Sequence, residues 1–352
     1  MRPLFALLLL ACGNEARLIS TIEPDRPVDA GTPPTPTPTP DAGAIEEVPD
    51  AGGPPPGAQC SADGWCKDAL LPDGGPITTR HLRAVFSRGP NEAYVVGDQG
   101  TLLVWNGAEW RTPIGIRPAD DLFAVWASGP TDVWVAGTLG DPEAPQGMFA
   151  HFDGTQFDQI IKPLAKRPEG LFGFDKNDVW SVGTGGELRH WNGQAWTTSA
   201  GPTTEALTDV AGTGGRLWAV GASGTIVEHD GTQWRSMAAP PQTLGGLAAI
   251  AAFSPTRLIA AGGAEWLEYD GAQWTAKKWP AWLDLQILGL WGKTPARLWA
   301  VGPGGSAWKL ENGTGARSDT GTTALLRDVH GWDDAHVWAV GFDGTVLRRY
   351  GP

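Results

Sequence analysis

The stretch VWAVGFDGTVLRRYGP, residues 337–352, repeats a phrase that occurs six times before it and then breaks off early. Its Gly341 aligns with Gly97, Gly137, Gly183, Gly221, Gly262 and Gly302, at intervals of 40, 46, 38, 41, 40 and 39 residues. A period near 40 built from short apolar runs and tight turns is the mark of a propeller, each repeat supplying one blade. The expected fold is therefore all-β, a seven-bladed β-propeller with four-stranded blades.

The first repeat shows the grammar. LRAVFS, AYVVG, TLLVWN and EWRTPI read as four successive strands. Residues 97–100, Gly-Asp-Gln-Gly, form a tight turn between the second and third, with counterparts at 183–186, 221–224, 302–305 and 341–344. Asn106-Gly107 lies between the third and fourth, echoed by Asp153-Gly154, Asn192-Gly193, Asp230-Gly231, Asp270-Gly271 and Asn312-Gly313. Asn-Gly and Asp-Gly are read here as two-residue hairpins that need positive φ. Three residues after most of these glycines stands an aromatic: Trp110, Phe157, Trp196, Trp234, Trp274.

The seventh repeat lacks its fourth strand. Just before the first repeat, ADGWCKDALLP carries Asp63-Gly64 and Trp65, the features of an orphan fourth strand. Residues 65–71 are expected to pair with residues 345–350, closing the last blade and hiding its open edge.

The remaining segments divide the chain into 1–11, 12–59 and 60–352. MRPLFALLLLAC has one positive charge, an apolar core and then Cys12, the pattern of an export signal. Leu9-Leu10-Ala11-Cys12 resembles the bacterial lipobox, which implies a lipidated Cys12, a lipid anchor as the one membrane attachment, and location at the outer membrane. Residues 12–59 hold a Pro-Thr run and three Asp-Ala-Gly copies, with too little apolar content for a core; they read as a disordered tether. With Cys12 lipidated, Cys60 and Cys66 remain as an expected disulfide in an exported protein. A net charge of −13 argues against nucleic acid as a partner. No apolar run reaches the roughly 18 residues of a membrane span.

The pattern VWAVG–GT–H–(D/N)G–W resembles the BNR/Asp-box propellers, and in phrasing the photosystem II assembly factor group, over residues 60–352. The resemblance implies seven blades and a role in binding proteins rather than catalysis. The match departs from a full Asp-box: Asp230-Gly231-Thr232-Gln233-Trp234 lacks its Ser and one residue of spacing.

For function, a non-catalytic binding or scaffold module for a protein or polysaccharide of the cell envelope is the leading reading, with a monomer and no cofactor or metal expected. A glycan-cleaving enzyme is the alternative, and an envelope assembly factor a third. Sialidase-like chemistry requires a Tyr–Glu nucleophile, and Tyr94, Tyr269 and Tyr350 all fall in or beside strands. His330 takes a place held elsewhere by Phe86, Trp126, Phe172 and Trp291, which assigns it to packing. The candidate ligand rim comprises Asp98, Gln99, Asp120, Asp121 and Asp343, with Trp279 and Trp282 in a connection outside the repeat pattern. On the opposite rim, Arg216, Arg257 and Arg297 follow Glu92, Asp132 and Asp178 at one repeat position, a candidate docking ring for a bipolar partner.

Overall fold

The computed structural model describes residues 53–54, 58–68, 77–113, 115–116, 119–140, 146–154, 156–158, 164–240, 245–263, 265–278, 286–312 and 314–350. Within them, seven antiparallel sheets of four strands stand in a ring. Blade one is Leu82–Gly89, Glu92–Gly97, Leu102–Trp105 and Trp110–Arg111, in that order from axis to periphery. The innermost strands of blades two to seven are Asp121–Gly129, Pro168–Asp175, Leu207–Thr213, Ala249–Ser254, Gly289–Thr294 and Leu326–Asp333. Each packs against its two neighbours, the seventh against the first included.

The seventh sheet takes its outer strand from the other end of the chain. Trp65–Asp68 pairs antiparallel with Val346–Arg349, in the register Trp65 with Arg349 and Asp68 with Val346. This pairing starts at the expected residue; residues 69–71 lie outside the described residues. The sulfurs of Cys60 and Cys66 are 2.05 Å apart, a bonded pair. The loop they enclose is stitched to blade six. Trp65 Nε1 donates to Ser318 Oγ at 3.0 Å, and Ser61 Oγ donates to the Asp319 carbonyl at 2.6 Å.

The second strand of each blade is buried on both faces, which is why it reads as an unbroken apolar run rather than an alternating one. Where it carries a Trp, that side chain can pack across the seam onto aromatics of the next blade's outer half. Trp134 meets Trp191 and Trp196, Trp180 meets Trp234, and Trp338 meets Trp105 and Trp110. Burying ~200 Å² of each indole at ~25 cal/mol/Å² contributes about 5 kcal/mol before entropy costs. The recurrent Gly at the end of this strand has a packing cause. Gly221 has extended φ, −175°, but a methyl there would sit 1.9 Å from the carbonyl oxygen of Ala206, the residue just before the innermost strand. At Gly137 the same methyl would lie 2.0 Å from Asp121 O.

The turns differ from expectation in one respect. Positive φ at two successive residues occurs between the second and third strands, at Gln99-Gly100, Ser223-Gly224 and Asp343-Gly344. These are the type I′ hairpins, closed by Thr101 N–H to Asp98 O at 3.2 Å in blade one. In the Asn/Asp-Gly turns of blades one to five only the Gly has positive φ. The Asx side chain works as an acceptor instead: Asn106 Oδ1 takes the Ala108 and Glu109 N–H groups at 3.0 and 2.9 Å. Asp230 does the same for Thr232 and Gln233, and the Thr232 hydroxyl, donating to it at 2.6 Å, together with these N–H bonds holds its carboxyl below the usual carboxylate range.

Candidate functional site

The innermost strands enclose an axial channel of about 680 Å³. One residue in or immediately before each forms a ring at the mouth: Arg83, Phe123, Glu169, Thr208, Ala248, Leu288 and Arg327. In blades one, two, three, four and seven this residue is the extra one of a β-bulge, between Leu82 and Ala84 for example, or Leu326 and Asp328. Bulges re-aim side chains, and here the extra residue lines the channel mouth. Nothing in the repeat phrase marks these positions, because the bulge carries no fixed residue type.

The ring is asymmetric. Arg83 and Arg167 both lie over the Phe123 face, each guanidinium 4.7 Å from the ring centroid. Arg83 is paired with Asp98, and Arg167 with Glu169. Arg327 is exposed and makes no ion pair among the described residues. Blades seven and one therefore present guanidinium groups and blade three the Arg167–Glu169 pair, while blades four to six present Thr208, Ala248 and Leu288.

Deeper in the wall stand two carboxyl groups. Asp209 accepts the Val210 N–H and, across the seam, the Ile250 N–H, both at 2.8 Å. Asp328 accepts the Val329 N–H at 2.8 Å and the Val85 N–H of blade one at 2.9 Å. Burial pushes their pKa values up to about 7 and about 6 against the lowering effect of those bonds. His330 accepts the Ser87 N–H on Nδ1 at 3.0 Å, and burial lowers it to about 4, so it is neutral and its second nitrogen carries the proton. It packs on Phe86 and Trp291, at centroid distances of 4.8 and 5.8 Å.

The rim residues read from sequence have structural duties. Asp98 holds Arg83; Gln99 accepts Arg80 Nη1 on its carbonyl at 2.7 Å and donates its N–H to Asp121 Oδ1 at 2.9 Å. Asp120 is fully buried and accepts the Gly140 N–H at 3.1 Å, which corrects its place on an accessible rim: its carboxylate fixes a loop. Asp343 is exposed, its N–H donating to His81 Nδ1 at 3.3 Å. Trp279, Trp282 and Cys12 lie outside the described residues.

The charge ring on the opposite face resolves into pairs, within one blade for Asp132, Asp178, Arg216 and Arg257 and across the seam from blade six to blade seven for Arg297. Asp132 bonds His151 at 2.5 Å and Asp178 bonds His190 at 2.8 Å. Arg216 is paired with Glu228, Arg257 with Glu268 at 3.4 Å, and Arg297 with Asp334 at 2.7 Å. In blades two to five the charged group at the start of the second strand thus meets a complementary partner on the third, as cross-strand pairing favours. Tyr94 donates to Glu92 at 2.6 Å, but it is buried, and burial with that bond raises its pKa, opposite to what a nucleophile needs.

No family model matches the sequence, and no curated protein matches it significantly. Solved structures share the architecture at low identity. YCF48 bound to a D1 peptide is 17% identical, with a TM-score of 0.66 over 84% of this chain and 99% of that one. YCF48 from Cyanidioschyzon merolae is 19% identical, with a TM-score of 0.62 over 82% and 99%. Virginiamycin B lyase from Staphylococcus aureus is 10% identical, with a TM-score of 0.66 over 82% and 98%. At these identities the likeness establishes the fold: the chain is a seven-bladed β-propeller similar in backbone course to a peptide-bound protein and to a lyase alike.

Proposed function

We propose that the chain is a protein-binding propeller that takes an extended, acidic peptide segment at its channel mouth, held at the outer membrane by a lipidated Cys12. The observation that carries this is the pair Arg83 and Arg167 over the Phe123 face, with the exposed Arg327 lining the same channel, opposed by uncharged Thr208, Ala248 and Leu288. Guanidinium groups give forked donors for carboxylates, and the uncharged half accommodates the apolar side chains of the same segment. That YCF48, of the same fold, has been captured with a peptide supports the reading.

Fluorescence anisotropy with an array of acidic peptides and their lysine-bearing counterparts tests it. Acidic members are expected to bind, and Arg327→Glu to weaken them about tenfold, roughly 1.4 kcal/mol, with an unchanged melting temperature. Equal binding of acidic and basic members, or an unaffected Arg327→Glu, would refute the mouth as the site. For the anchor, metabolic labelling with an alkyne fatty acid should mark the parent and not Cys12→Ser. Label retained by the variant would remove the lipid attachment.

A further inference from the structure

A second crevice, about 450 Å³, opens far from the channel, at the seam between blades six and seven. The loop of the Cys60–Cys66 bridge forms one wall, through Asp63, and the outer strand of blade six, Thr314–Ser318, forms another. Its charged lining is Lys309, Arg317 and Arg349 against the single carboxylate of Asp63.

Arg349 breaks the repeat. The residue cross-strand from the start of the conserved apolar run is Trp105, Phe152, Trp191, His229, Tyr269 and Leu310 in blades one to six. In blade seven it is Arg349, opposite Val337. Elsewhere this slot packs on the Trp of the preceding blade, as Trp191 does on Trp134. Arg349 keeps that contact, its guanidinium 5.1 Å from the Trp299 ring, and donates to the Asp334 carbonyl at 3.2 Å. It is 8% exposed. A cation in a slot that six sister blades fill with uncharged residues sits there at a desolvation cost, and burial lowers its pKa despite carboxylates nearby.

The surrounding charges leave the crevice positive. Asp63 accepts the Asp319 N–H at 2.5 Å, and Glu311, beside the crevice, is bonded by Lys309 at 3.0 Å. Arg317 is exposed and has no ion pair among the described residues. The crevice is thus a forked, partly desolvated donor set, Arg349 below and Arg317 at the lip, with a Lys on the same wall. The geometry points to an oxyanion-binding site here: it takes a phosphate or sulfate group, free or carried on a larger molecule, independently of the channel mouth.

Calorimetric titration of the full chain with inorganic phosphate and with sulfate tests the site, and glucose 6-phosphate against glucose separates a carried group from a free one. Binding of at least one oxyanion is expected, lost tenfold or more in Arg317→Glu with no change in melting temperature. Arg349→Leu, which restores the residue type of blade six, should also abolish binding while keeping or raising the melting temperature. No oxyanion binding by the parent, or parent-like binding by either variant, overturns the assignment. Glucose binding as tightly as its phosphate would overturn it too. If Arg349 serves only the seam, Arg349→Leu lowers the melting temperature and the parent binds neither ion.

Discussion

Trp65→Ala will lower the melting temperature by about 10 °C, and deletion of residues 60–68 will lower it further. Trp65 is fully buried, meets Trp299 edge-on at 5.2 Å, and satisfies its N–H on Ser318. Removing such an indole costs about 3–5 kcal/mol through lost transfer free energy and the cavity left behind. In a domain of this size each kcal/mol shifts the midpoint by roughly 2–4 °C. The deletion additionally strips the backbone partners from Val346–Arg349 and exposes that strand as an edge. Differential scanning fluorimetry decides the matter. A melt within a degree or two of the parent for the deletion would mean that the Trp65–Asp68 strand contributes nothing to closing blade seven.

A second large effect concerns pH. For an Asp whose folded pKa stands above its unfolded value, the native state holds the proton more tightly, so its contribution to stability declines as pH rises from the unfolded value to the folded one. Asp209 and Asp328, raised to about 7 and about 6, place that window between about pH 4 and about pH 7. Both carboxyls retain partial contact with the channel, so the combined decline is discounted to about 1–3 kcal/mol. His330 acts in the opposite sense: lowered to about 4, it favours the fold as pH rises through the same range. Asp132 and Asp333, held low by histidine bonds despite desolvation, also weaken the fold as the medium acidifies.

The test is therefore a difference. Asp209→Asn/Asp328→Asn loses one acceptor oxygen per site at every pH, a constant offset. Relative to the parent the double variant should gain stability steadily between about pH 4 and about pH 7. A parent-minus-variant melting difference that stays flat across that range would show that the two seams do not titrate.

The repeat made most of the fold legible. Seven spaced glycines fixed the number of blades because one packing constraint, the approach of an innermost carbonyl within 2.3 Å of where a methyl would stand, recurs in each. Trp65 was readable as a displaced outer strand because it sits after Asp63-Gly64, as Trp110 sits after Asn106-Gly107. The site was less legible. Arg83, Phe123 and Arg327 reach the channel mouth through bulges, whose existence depends on hydrogen-bond register rather than residue type. Reading the Asp-Gly turns through φ alone missed the side-chain oxygen of Asn106 as the working group. Asp120 looked available because it is charged and adjacent to a strand, yet it is fully buried and accepts the Gly140 N–H.

The polar pairs Asp132–His151, Asp178–His190, Arg216–Glu228 and Arg257–Glu268 all close within a single blade. A gene segment encoding one such blade carries both members of its pair, so its duplication or transfer into a ring strands no charge, and the partner it must find next door is merely apolar. Asp209 and Asp328 break that self-sufficiency, since each holds a backbone N–H of the following blade. Shuffling modules is accordingly unconstrained by charge across blades two, three, four and five, whereas the inner ends of blades four and seven each depend on the inner strand that follows.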